Sequence, residues 1–182
     1  RPGHVALISQ SGGILVDPIA ELTHERVGLS AAVSIGNKAV VDEVELLAHF
    51  LDDPATKVIG IYLEGFKPGR GRDFVELAAR ASKPVVVLKS GKTEGGSRAV
   101  ASHTASLAGD YRVFGEVIRG SAAIEGRSEA EFVALCEALT CCSDRTIERV
   151  GIVTASGGHG AIASDGCYEA GLVLAALDEA SR

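Results

Sequence analysis

Apolar residues run through this chain in short unbroken blocks, separated by stretches where they recur every three or four positions. The blocks Val5–Ser9, Leu29–Ile35, Val58–Leu63, Pro84–Lys89 and Ala122–Ile124 read as strands. Helical periodicity falls between and after them, over Gly12–His24, Asp42–Leu51, Arg72–Ala81, Tyr111–Arg119 and Glu129–Leu139. Pro18 predicts either a place in the first turns of its helix or a kink there. VALIS, VIGIYL and PVVVL are apolar without alternation, which suits parallel strands covered on both faces. Strand and helix alternate with short connections, so the fold class predicted is α/β. The expected architecture is a flavodoxin-like, doubly wound parallel sheet of order 2-1-3-4-5.

After Glu148 the pattern starts again, with a strand Arg149–Thr154, a glycine-opened helix Gly157–Gly171 and a strand Leu172–Leu177. A unit of about 35 residues is too small to bury its own core. The expected division is therefore a flavodoxin-like domain over 1–145 and, over 146–182, the truncated beginning of a second flavodoxin-like domain. The two glycine openings, SQSGG at 9–13 and ASGGHG at 155–160, are weakly similar.

Composition narrows the function. The 182 residues are 46% hydrophobic but only 4% aromatic, with 22 glycines, so small side chains carry the packing. The net charge is −6 and no Lys/Arg cluster is present, which argues against nucleic acid as a partner. No apolar run reaches the ~18 residues that a bilayer span requires, so no membrane association is expected. The chain enters a strand directly after Arg1-Pro2-Gly3, without the pattern of a secretory leader. Cys136, Cys141, Cys142 and Cys167 lack C-x-x-C spacing and read as reduced thiols of a cytoplasmic protein, with no metal site expected.

Three features carry candidate chemistry. Ser11-Gly12-Gly13 turns the first strand into a helix, and the unpaired amides and dipole of a helix N-terminus attract phosphate. The plain alternative is a tight turn with Ser11 as the cap. Glu64 ends the third strand, which neighbours the first in the expected order, so it shares the switch-point crevice with Ser11. His103 follows the fourth strand after a polar stretch, Ser90–Ser102, read as a long loop. A neutral imidazole can attack phosphorus with one nitrogen while a carboxylate holds the N–H of the other.

Other signals are weaker. Ser90-Gly91-Lys92-Thr93 mimics the end of a P-loop, but Val86 stands where its first glycine belongs. Gly158-His159-Gly160-Ala161-Ile162-Ala163 mimics a dinucleotide fingerprint, with Asp178 near the ribose position. Ser11 resembles a nucleophile elbow, but Ser9 stands at its first glycine.

The segments HVALISQSGG, SIGNKAVVDEVELLAHFLDDPATKVIGIYLEGF, KPVVVLKSGKTEGGSRAVASHTASLAGDYRVF and RVGIVTASGGHGAIASDGCYEAGL together resemble the ADP-forming (NDP-forming) acyl-CoA synthetases, relatives of the succinyl-CoA synthetase α chain. The resemblance implies that His103 is the phosphorylated histidine and Glu64 the acid that contacts it. It implies that Ser11, Gly12 and Gly13 open one phosphate-holding helix, and that Gly157, Gly158 and Gly160 open the second. The family commonly has proline where His159 stands, which leaves the role of His159 open. Asn37 matches a pocket or turn residue. No tightly bound cofactor is implied; CoA and ATP or ADP with magnesium are substrates of the complete enzyme, beside a small carboxylic acid. CoA-binding and ATP-grasp domains or subunits are the implied partners, in an oligomer, and the piece alone is expected to be inactive. Two other readings stay open: a non-catalytic acyl-CoA-sensing module of an acyltransferase, and a nucleotide-binding α/β domain using the Gly158 loop.

Overall fold

The structure is a computed structural model that describes residues 2–104, 110–142 and 145–176. The chain divides into two units, Arg1–Ser143 and Asp144–Arg182.

In the first unit, strands β1 (Pro2–Ser9), β2 (Leu29–Ser34), β3 (Val58–Leu63), β4 (Val85–Lys89) and β5 (Ile124–Gly126) form one sheet of order β2-β1-β3-β4-β5, as expected. All four pairings are parallel. The helices are α1 (Gly12–His24), α2 (Glu43–Asp52), α3 (Arg70–Ala79), α4 (Glu94–Thr104), α5 (Tyr111–Arg119) and α6 (Glu129–Cys142). Successive strand residues feed opposite faces. Ala6, Ile8, Ile59, Ile61, Val85 and Val87 pack with residues of α2, α3 and α5, while Val5, Leu7, Val58, Val86 and Leu88 pack with α1 and α6. That two-sided burial is why these strands carry no polar alternation.

Two local readings change. The stretch Ser90–Ser102 is a loop only up to Thr93, and α4 follows. Thr93 starts it: Oγ1 accepts from the Gly96 amide at 3.1 Å and its carbonyl accepts from Ser97 N at 2.7 Å. Gly95 and Gly96 conceal this helix from a propensity reading, since each glycine costs about 1 kcal/mol against alanine. Pro18 lies in the middle of α1, buried and without ending the helix.

The start of α2 is tied to the start of α3. Asp42 Oδ1 accepts from Val44 N at 3.0 Å and Glu45 N at 3.1 Å, and Glu45 Oε2 accepts from Asp42 N at 3.0 Å, a reciprocal capping box. Arg70 grips the same carboxylate in two places, Nε to Oδ2 at 2.7 Å and Nη2 to Oδ1 at 2.8 Å. Chiefly through Arg70, the Asp42 pKa is held down at about 2. Because the folded value lies below the ordinary one, Asp42 stabilises fully above pH ~4, and this contribution is lost as pH falls through about 2. Asp42→Ala is expected to cost about 2 kcal/mol at neutral pH. Urea melts at pH 6 and pH 2.5 check this, since the gap between variant and wild type should shrink at the lower pH.

The second unit pairs β6 (Arg149–Val150) with β7 (Val173–Leu174) in parallel across α7 (Gly157–Glu169). Both strands are shorter than the apolar runs predicted, and no residue of α7 is buried. Among the described residues no helix is long and apolar enough to cross a membrane, and no cluster of three or more His, Cys, Asp or Glu is arranged to hold a metal. All four cysteines are free; burial pushes the Cys136 thiol up to about 12.

Candidate active site

The carboxyl ends of β1, β3 and β4 meet at one edge of the sheet, where a doubly wound fold places its ligands. β1 ends at Ser9, whose Oγ donates to the Ser11 carbonyl at 2.6 Å and accepts from Ser11 N at 3.1 Å. That two-residue lock turns the chain so that Ser11 caps α1, its Oγ accepting from Ile14 N at 3.4 Å. Gly12 and Gly13 are exposed, and no acidic residue occupies the first turn, so the positive end of the helix is open. Ser11 serves as a cap, which accounts for the nucleophile-elbow resemblance.

Gln10 joins this turn to β3. Its amide donates to the Tyr62 carbonyl at 3.3 Å. Its side-chain Oε1 accepts from Glu64 N at 2.5 Å and Gly65 N at 3.2 Å. Ser11 and Glu64 therefore lie at neighbouring strand ends, bridged by one buried side chain. Glu64 is 4% exposed. Its Oε1 has a long contact, 3.5 Å, with the Tyr62 hydroxyl, and its Oε2 is buried with no hydrogen-bond partner among the described residues.

Lysines hold the carbonyls of the same dipeptide. Lys89, 2% exposed, donates from Nζ to the Glu64 carbonyl at 2.8 Å and to the Ser90 carbonyl. Burial drives its pKa down to about 8, against the pull of Glu64, and its ammonium lies 5.8 Å from the Phe114 ring centre. Lys38, 3% exposed with φ of 58°, donates to the Gly65 carbonyl and pairs with the buried Glu43 at 2.8 Å. Its pKa is lowered by burial, and Glu43 partly restores it.

His103 falls in the last turn of α4, and its side chain lies outside the described residues. Both ends of the segment that carries it return to this edge. Ser90 N donates to the Leu63 carbonyl at 3.0 Å, beside Glu64. Asp110 lines a cleft of about 240 Å³ together with Gly65, Lys89 and Phe114. Residues 105–109 lie outside the described residues, as does Asp178 of the fingerprint-like stretch. Lys92, of the P-loop-like tetrapeptide, pairs with Glu125 at 2.8 Å and lies over Tyr111. Asn37 sits exposed in the turn before Lys38.

The opening of α7 repeats the backbone turn of α1, although the Ser156 side chain makes no cap hydrogen bond as Ser11 does. Thr154 Oγ1 accepts from Ser156 N at 3.1 Å and reaches the Ser156 carbonyl at 3.4 Å, as Ser9 does with Ser11. The capping residues share a backbone conformation, φ/ψ of −112°/122° at Ser11 and −122°/120° at Ser156. Gly157, Gly158 and Gly160 form the first turn, again without an acidic residue. His159 is exposed on that turn.

The model of the succinyl-CoA ligase-like flavodoxin domain matches residues 2–139. This chain belongs to that family. Members similar to it include the α subunit of an ADP-forming acetate–CoA ligase I of Pyrococcus furiosus, 41% identical over 95% of this chain and 37% of the relative. An ADP-forming 4-hydroxybutyrate–CoA ligase of Nitrosopumilus maritimus is 34% identical over 96% of this chain and 25% of its own length. Among solved structures, an acetyl-coenzyme A synthetase of Ca. Korarchaeum cryptofilum, in complex with phosphate and ADP, superposes with a TM-score of 0.82 at 39% identity. That match covers 97% of this chain and 39% of the other. The chain thus spans well under half the length of these members of the family.

Proposed function

We propose that this chain is the phosphohistidine-carrying part of an acid–thiol ligase that interconverts acyl-CoA, ADP and phosphate with the acid, CoA and ATP. Membership of the ligase family supports the reaction class. The observation that carries the assignment is Glu64, a buried carboxylate at the switch point beside an open helix N-terminus, with one oxygen free to accept a hydrogen bond. A buried carboxylate left so is costly unless a donor arrives, and an imidazole N–H is such a donor.

In this reading phosphate oxygen attacks the thioester carbon and CoA leaves as the thiol, giving an acyl phosphate. One His103 nitrogen then attacks phosphorus, and the bond from phosphorus to the acyl oxygen breaks, releasing the acid. Glu64 holds the N–H on the other ring nitrogen, which fixes the tautomer and stabilises the cation that forms. The amides opened by Ser11, Gly12 and Gly13 hold the phosphoryl oxygens, and those at Gly157, Gly158 and Gly160 form a second cradle with the same backbone turn. An ADP oxygen finally takes the phosphoryl group as the P–N bond breaks; magnesium enters with the nucleotide. The rest of the ligase supplies CoA-binding and ATP-grasp domains or subunits in an oligomer. We place it in the cytoplasm, where its four free thiols stay reduced.

The complete protein incubated with γ-labelled ATP and magnesium is expected to take up acid-labile, base-stable label. Glu64→Gln should slow the labelling roughly a hundred-fold without abolishing it, the lower end of what a positioned acid–base partner contributes. Absence of label in an intact protein that binds acyl-CoA tightly would overturn this assignment and favour a sensing module.

A further inference from the structure

We propose that Gln10, Lys38 and Lys89 are positioning residues for phosphoryl transfer, a clamp of three buried side chains that fixes the Glu64–Gly65 backbone and so aims the Glu64 carboxylate. This inference rests on the role proposed above for Glu64. The ladder between β3 and β4 ends at Leu63 and Lys89, so the next two residues of the chain leave the sheet without strand partners. Both are buried, and buried backbone groups must be paired. Here side chains pair all four: Gln10 Oε1 takes the two N–H groups, Lys89 Nζ the Glu64 carbonyl and Lys38 Nζ the Gly65 carbonyl.

The three come from three separate places, the turn after β1, the β2–α2 connection and the end of β4. Two are ammonium groups at 3% and 2% exposure, and one of those needs a second buried ion, Glu43, to accompany it. Buried charges are a poor way to gain stability, since apolar side chains of similar volume usually do as well or better. Water or an exposed turn would satisfy the same backbone more simply. What the charged clamp adds is a fixed position for one carboxylate, with positive charge behind the site where a phosphoryl group would be received. None of the three needs to touch the reacting atoms, so each acts through Glu64.

A double-mutant cycle on the complete protein separates positioning from plain support. Lys89→Met is expected to slow acid-labile labelling by γ-labelled ATP at least ten-fold while leaving the KM for ATP unchanged. In a Glu64→Gln background the same change should slow it less than two-fold further, because the group being aimed is already lost. Gln10→Ala, put through the same cycle, provides the second arm should Lys89→Met fail to unfold cooperatively. Wild-type labelling rates in the single variants, or an equal loss in the Glu64→Gln background, would overturn the clamp. A wild-type protein that takes no label is a different result, which removes the phosphohistidine assignment itself.

Discussion

Alanine at position 103 is expected to abolish acid-labile phosphorylation, a loss on the order of a thousand-fold or more, the scale seen when a covalent nucleophile is deleted. Two alternative nucleophiles at this edge are engaged elsewhere. Ser11 is occupied as a helix cap, and Lys89 is engaged by two carbonyls. Glu64 is the acceptor in the scheme rather than the nucleophile. Overall exchange between acyl-CoA and ATP should be lost in parallel with the label. Unfolding of His103→Ala should remain cooperative, because the sheet and its two core layers are built from other residues. Incorporated label and a thermal melt on the same preparation check both halves.

The second large effect is on stability. Phe132 of α6 is 2% exposed and packs in the layer with Val5, Leu7, Val58 and Val86. Two strand glycines make room for it. A Cβ at Gly60 would stand 2.8 Å from Phe132 Cζ, and one at Gly126 would stand 3.0 Å from Phe132 Cα. Phe132→Ala is expected to cost about 3–5 kcal/mol, read as a lowered urea midpoint. Gly60→Ala alone should cost about 1–3 kcal/mol through overpacking. The double variant should be less destabilised than the sum, since truncation removes the nearest of the three groups that the new methyl group meets, leaving Leu7 Cδ2 at 2.9 Å and Cys136 Sγ at 3.1 Å. Strict additivity would show that the glycine is not there for the ring.

Much of this fold is legible in the chain. Unbroken runs such as VIGIYL and PVVVL mark parallel strands buried on two faces, and their alternation with helices gives the observed sheet order. What escapes the pattern has local causes. α4 hides behind Gly95 and Gly96, and the signal that announces it is Thr93 followed by Glu94, a cap and an acidic first turn. The Glu64 edge is foreseen from Ser11 and the strand order. The clamp is not, because a lone lysine reads as solvated. Lys89 closes an otherwise apolar run, which is the one hint of burial. Lys38 offers none, since it sits in a polar turn and its left-handed backbone is a property of the folded loop.

The position of the label in the complete protein decides whether the phosphoryl group resides on His103. Proteolysis at alkaline pH after brief labelling, followed by mass spectrometry of the peptides, is predicted to find it on the peptide containing His103 and to lose it on mild acid treatment. A phosphoryl group on any other side chain, or one that survives acid, would rule out His103 as the carrier.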